Sequence, residues 1–173
     1  MKSFSNRGRR ILMVLFATIL VFSATSAIVN APTESHSVPF KATAKAYAVA
    51  VSPPPILEIY ISGNGYATLM GRISVWQHHF VDLTTMTFYG GEWVWTAANG
   101  DTVKGGYYGS MVPTSVGFEI HGYFTIDGGT GRFANAVGGG IASGMQYFDN
   151  TADLRLDGTI TSVGSNMHAP GQQ

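Results

Sequence analysis

The chain has 173 residues, 45% hydrophobic and 12% aromatic but only 12% charged, with 22 glycines, no cysteine and a formal net charge of zero. The apolar fraction is too high for a disordered segment. The balanced charge offers no excess of lysine or arginine to neutralise a phosphate backbone, so nucleic acid is not an expected partner. Absence of cysteine removes both a disulfide framework and thiolate chemistry, and the length suits a single domain.

Lys2, Arg7, Arg9 and Arg10 precede an apolar run from Ile11 to Phe22, and small and polar residues follow from Ser23 to Ala31. Basic residues, a short apolar stretch and then small residues are the order of a secretory signal peptide. The apolar run is short against the roughly 20 residues needed to cross a bilayer. Residues 1–31 are therefore read as a leader, with Val29-Asn30-Ala31 or Thr25-Ser26-Ala27 before the cut, and residues 32–173 as the exported domain. No stable membrane insertion is expected after cleavage. Losing the leader removes four basic residues and no acidic one, which leaves a mildly acidic domain suited to solubility.

From Pro39 onward apolar residues alternate with polar ones between glycine-rich turns, which predicts an all-β domain. Ile56 to Ser62 places Leu57, Ile59 and Ile61 on one face, and Gly63-Asn64-Gly65 is read as a turn into a strand from Tyr66 to His78. In that strand Ala67, Leu69, Ile73 and Val75 share a face against Arg72, Ser74, Trp76 and His78. Met86 to Ala97 and Thr102 to Met111 flank Asn99-Gly100-Asp101, a strong hairpin signal because both Asn99 and Gly100 tolerate positive φ. Ser115 to Ile126 sets Val116, Phe118, Ile120, Phe124 and Ile126 against Glu119, His121, Tyr123 and Thr125. Strands over about Gly138 to Phe148 and Ala152 to Ser162 complete the chain.

Seven or eight strands with short turns and no crossover helix predict a meandering antiparallel sheet that must hide its edges. Closure into an antiparallel β-barrel of about eight strands does so. Glycines inside the strands, among them Gly71, Gly105, Gly109 and Gly122, fit the strong curvature a barrel needs, with a β-sandwich as the alternative. Gly129, Gly131 and Ala134 formally satisfy the dinucleotide-binding fingerprint. That fingerprint works only where a parallel strand runs into a helix, whereas here Gly138-Gly139-Gly140 and further strands follow, so the segment is read as a turn with one helical turn at Arg132 to Asn135.

Phe124 to Phe133, with its Gly128-Gly129-Thr130-Gly131 turn, resembles the strand, turn and following strand of the allene oxide cyclase and dirigent barrels, and more broadly of the allene oxide cyclase barrel-like group. Val38 to Ala42 resembles that group's opening strand, Gly65 to Arg72 its second motif, Ala97 to Asp101 its central hairpin, and Leu156 to Ile160 its last strand. These motifs carry turns and packing, not chemistry. The resemblance implies a barrel with a lipocalin-like cavity able to hold one small ligand, and relatives that cyclise, steer or fold reactive apolar substrates without a cofactor. The chain lacks cysteine and aligns no acidic or tyrosine motif with the plant enzymes' catalytic positions.

Among polar groups Glu58, Glu92 and Glu119 fall in strands. Glu92 is the candidate catalytic residue, because simple alternation places it with Met86, Phe88, Gly90 and Val94 on an apolar face, where a carboxyl would have a raised pKa. Tyr89, Trp93 and Trp95 on one strand and Tyr107 on its partner are the candidate ligand-binding residues. His78 and His79 point to opposite faces of a strand and, even with His121, show no spacing for a zinc site, so neither metal nor cofactor is expected. Two readings follow: a secreted barrel that binds a small hydrophobic molecule, which export favours, and a cofactor-independent cyclase or isomerase in the same cavity. Self-association into a homo-oligomer is left open.

Overall fold

A computed structural model describes residues 36–161; the leader expected over residues 1–31 lies outside the described residues. Eight strands follow in order: β1 (Ser37–Ala50), β2 (Ile56–Ala67), β3 (Gly71–Asp82), β4 (Thr87–Ala97), β5 (Thr102–Pro113), β6 (Gly117–Ile126), β7 (Gly138–Tyr147) and β8 (Thr151–Thr161). Each pairs antiparallel with the next, and β8 returns to β1, from Ser37 opposite Thr161 to Tyr47 opposite Thr151. The all-β domain is thus a closed eight-stranded antiparallel barrel, and closure leaves no strand edge unpaired.

Period-two alternation decides which residues face inward. Along β1, Phe40, Ala42, Ala44, Ala46 and Ala48 are buried while Lys41, Thr43, Lys45 and Tyr47 face out. The small alanines leave space that larger residues of other strands fill. On β6, Phe124 and Ile126 are buried and Glu119, His121, Tyr123 and Thr125 exposed. The outer surface carries scattered charged residues, among them Lys41, Lys45, Glu119 and Asp157, together with exposed aromatic side chains such as Tyr66, Trp76, Tyr108 and Tyr123.

The two ends of the barrel differ. At the end carrying the β2–β3, β4–β5 and β6–β7 connections, Phe40, Met70, Ile73, Trp95, Val103, Ile126, Phe133 and Ile160 form a fully packed plug. The Gly128-Gly129-Thr130-Gly131 segment builds that plug. Its backbone adds to the edge of the β5 hairpin, with the Thr130 amide donating to the Thr102 carbonyl at 3.0 Å, and the 3-10 turn Gly131–Phe133 then drops the Phe133 ring into the core. Gly128 and Gly131 both hold positive φ, which favours glycine, and a Cβ on Gly131 would also displace the Asp101 carboxylate.

Two local expectations are corrected. Gly63-Asn64-Gly65 is not a turn, because β2 continues through it to Ala67 and the chain reverses at Thr68-Leu69-Met70, where Leu69 holds φ 66°. Gly63 and Gly65 lie directly against the β1 backbone, where a Cβ would meet the Lys45 and Thr43 carbonyls, so they serve close packing rather than reversal. At the Ala98–Asp101 turn between β4 and β5 only Gly100 has positive φ, at 89°; Asn99 instead accepts the Asp101 amide with its Oδ1 at 3.1 Å.

Candidate functional site

At the opposite end, where the β1–β2, β3–β4, β5–β6 and β7–β8 connections lie, the interior opens into a cavity of about 270 Å³. That is room for on the order of nine waters. Its walls are mostly apolar, with Leu57, Ile59, Met111, Phe118, Ile120 and Leu154 among them, and Trp93 and Phe124 separate it from the plug. Trp93 is fixed by its indole N–H, which donates to the carbonyls of Thr125 at 3.1 Å and Gly106 at 3.3 Å.

A β-bulge in β4 sets the site's geometry. Phe88 pairs with Gly109, but the next pair is Gly91 with Tyr107. On the other side a single residue, His79, stands opposite Gly90 and Gly91. Gly90 takes φ 59°, which turns the strand by one residue and resets its alternation. Phe88 faces inward before the bulge, and Trp93 and Trp95 face inward after it. Bare backbone at Gly91 lets the Tyr107 ring lie across it; a Cβ there would stand 2.6 Å from Tyr107 Cδ1. Gly109 and Gly122 receive the Phe88 ring in the same way.

Tyr107 is thereby carried to His79, its hydroxyl 2.5 Å from His79 Nδ1 and the rings edge to face at 5.4 Å. Burial pushes the His79 pKa down from 6.5 to about 4, with a smaller contribution from neighbouring His78, so the imidazole is neutral at pH 7. Burial likewise pushes the Tyr107 phenol well above its usual value. Gln77, two residues before His79 on the same inward face, is 7% exposed and His79 is 8% exposed. Both line the cavity. Gln77 makes no side-chain hydrogen bond among the described residues, and His79 makes only the one to Tyr107. Among the described residues the buried side-chain polar atom left without a partner is the Trp95 indole nitrogen, so the Gln77 amide touches the open cavity rather than being sealed in the core.

The sequence-derived candidates separate accordingly. Trp93 and Tyr107 line the cavity. Trp95 is fully buried in the plug, packed on Trp93 at 5.3 Å between ring centroids, with its indole N–H unpartnered. Tyr89 is 46% exposed on the outer surface, stacked on Phe80. Glu92 also faces outward, opposite His78 in the register, and so lies away from the cavity. The bulge explains both differences, because alternation counted straight through Gly90-Gly91 assigns residues on its two sides to the wrong common face. His79 and Gln77 were missed as site residues, although the signal existed: the inward series Ile73, Val75 continues through Gln77 and His79 to Val81. Of the other carboxylates, Glu58 bonds outward-facing His78 at 3.0 Å and Glu119 stands beside His121 on the outer surface. No group of three metal-ligating side chains occurs among the described residues.

Fold and site together define a closed antiparallel barrel with one packed end and an apolar cavity at the other bearing a His–Tyr pair and a glutamine amide. No family model, curated protein or solved structure matches the chain.

Proposed function

We propose that the chain is a secreted small β-barrel that binds a small hydrophobic molecule in its open-ended cavity. The observation that carries this reading is the cavity itself, about 270 Å³ of space walled by leucine, isoleucine, methionine and phenylalanine side chains where a barrel of this size could have been packed solid. The leader-like order of residues 1–31 supports export. The resemblance to the allene oxide cyclase barrel-like group, whose members use such a cavity, points the same way.

A second reading, cofactor-independent cyclisation or isomerisation, draws on one specific feature, the water-sheltered His79–Tyr107 pair. In that reading the acid–base group is His79 and not Glu92. Binding is tested with the uncharged fluorophore N-phenyl-1-naphthylamine. Its emission should rise on addition of the folded protein, saturate at one equivalent and fall again when an apolar competitor is added. Emission that stays at the buffer level across micromolar protein concentrations would sink the binding reading.

A further inference from the structure

We propose that Gln77, His79 and Tyr107 form a recognition site for one uncharged oxygen function, a carbonyl or a hydroxyl, on an otherwise apolar ligand. This rests on the cavity reading above and names the class of molecule the cavity takes.

The cavity lining carries polar side chains on two walls: Gln77 and His79 on β3 with Tyr107 beside them, and Ser143, Gln146 and Asn150 on β7 and the β7–β8 connection. Gln77 and His79 are successive inward residues of β3, so they stand about 7 Å apart along the strand at neighbouring depths of the cavity. Their cross-strand neighbours offer no hydrogen bonds: Gln77 pairs with Ile61 and Trp93, and His79 pairs with Ile59. The Trp93 N–H is already engaged by two backbone carbonyls. On the β3 wall what remains to bond a ligand is the Gln77 amide, which both donates and accepts, and the Nε2 of His79. Across the barrel the Gln146 amide nitrogen already donates to the Tyr147 and Thr151 carbonyls at 3.3 and 3.2 Å, and that of Asn150 to the Tyr47 hydroxyl at 3.4 Å.

Tyr107 decides what Nε2 does. When the phenol donates to Nδ1, Nε2 carries the proton and donates to a carbonyl; when Nδ1–H donates to the phenol oxygen, Nε2 accepts from a hydroxyl. Either arrangement serves one neutral oxygen, with Gln77 supplying a second bond. A charged ligand is disfavoured because this wall holds no fixed countercharge. The charged side chain on the lining, Arg155, stands three strands round the barrel on β8, 62% exposed and 4.0 Å from Asp157.

Three ligands of nearly equal size and shape test this by equilibrium dialysis at pH 7: 2-acetylnaphthalene, its hydrocarbon isostere 2-isopropenylnaphthalene, and 2-naphthoate. The ketone should bind about three- to tenfold more tightly than the hydrocarbon, the factor expected of one or two net hydrogen bonds, and 2-naphthoate should bind weakest. Gln77→Leu and His79→Leu should each bring the ketone toward the hydrocarbon's affinity while the hydrocarbon's own affinity holds or rises. Equal binding of ketone and hydrocarbon to the unaltered protein would overturn the proposal and leave the cavity reading standing, whereas binding of none of the three would overturn both. The unaltered protein alone supplies the decisive ratio, so a variant that fails to fold does not shield the proposal.

Discussion

At the scale of single residues, burial of His79 makes the fold sensitive to pH. Its pKa falls from 6.5 to about 4 on burial, so the folded state resists a proton that the unfolded chain accepts. Above pH 6.5 both states are neutral at this position and stability is whole. As pH falls from 6.5 toward 4 only the unfolded chain gains the proton, and stability is lost across that window until both states are protonated. The shift corresponds to roughly 3 kcal/mol by the usual conversion. Urea unfolding of the unaltered protein should therefore show stability falling by that order between pH 7 and pH 4. His79→Phe, which removes the proton site, should flatten the profile in this window; a profile of unchanged slope would show that His79 is not the group responsible. Gln77, beside it, carries no charge and should contribute no pH dependence of its own.

At the scale of elements, turns and bulges govern which side chains meet. In the β4–β5 hairpin the Gly100 amide donates to the Ala97 carbonyl at 2.9 Å and the Ala97 amide to the Asp101 carbonyl at 2.8 Å, with Gly100 at φ 89° and nothing within 4 Å of where a Cβ would sit. Open space with positive φ isolates backbone strain from crowding. Gly100→Val should destabilise by about 1–3 kcal/mol, and Gly100→Asn by clearly less, because asparagine tolerates the left-handed region. Equal denaturant midpoints for the two variants would show that something other than φ sets the cost. This hairpin, the β6 alternation and the GGTG turn were legible in the sequence, since each depends on neighbours along the chain. The role of Gly63 and Gly65 was not, because it depends on β1 lying against them, and a glycine required by a distant carbonyl reads locally like a turn residue. The Gly90-Gly91 bulge was likewise invisible to alternation counting. It cost the site Glu92 and Tyr89, while Trp93 and Tyr107 kept their place because both lie on the cavity side of the register it resets.

At the scale of the whole molecule, one end is packed and the other is left unfilled, and an unfilled apolar volume carries a stability deficit. Ala142 on β7 lines the cavity across the barrel from His79. Ala142→Leu should raise stability by about 1–2 kcal/mol through added burial while weakening uptake of an apolar fluorophore, a trade between stability and function. Loss of stability with uptake intact would place that side chain outside the space the fluorophore occupies. The pairing of β1 with β8 has a further bearing on how the chain acquires its shape. Every other strand finds its neighbour within a short connection, but the Ser37–Thr161 seam joins the two extremes of the described chain. During synthesis β1 therefore waits with one row of backbone amides and carbonyls unmatched until the final strand arrives. Of the strand pairings this seam closes the longest loop, so it carries the largest loop-closure entropy. Until it closes, the alanine-lined face of β1 and the waiting edge are the surfaces on which two unfinished chains would meet.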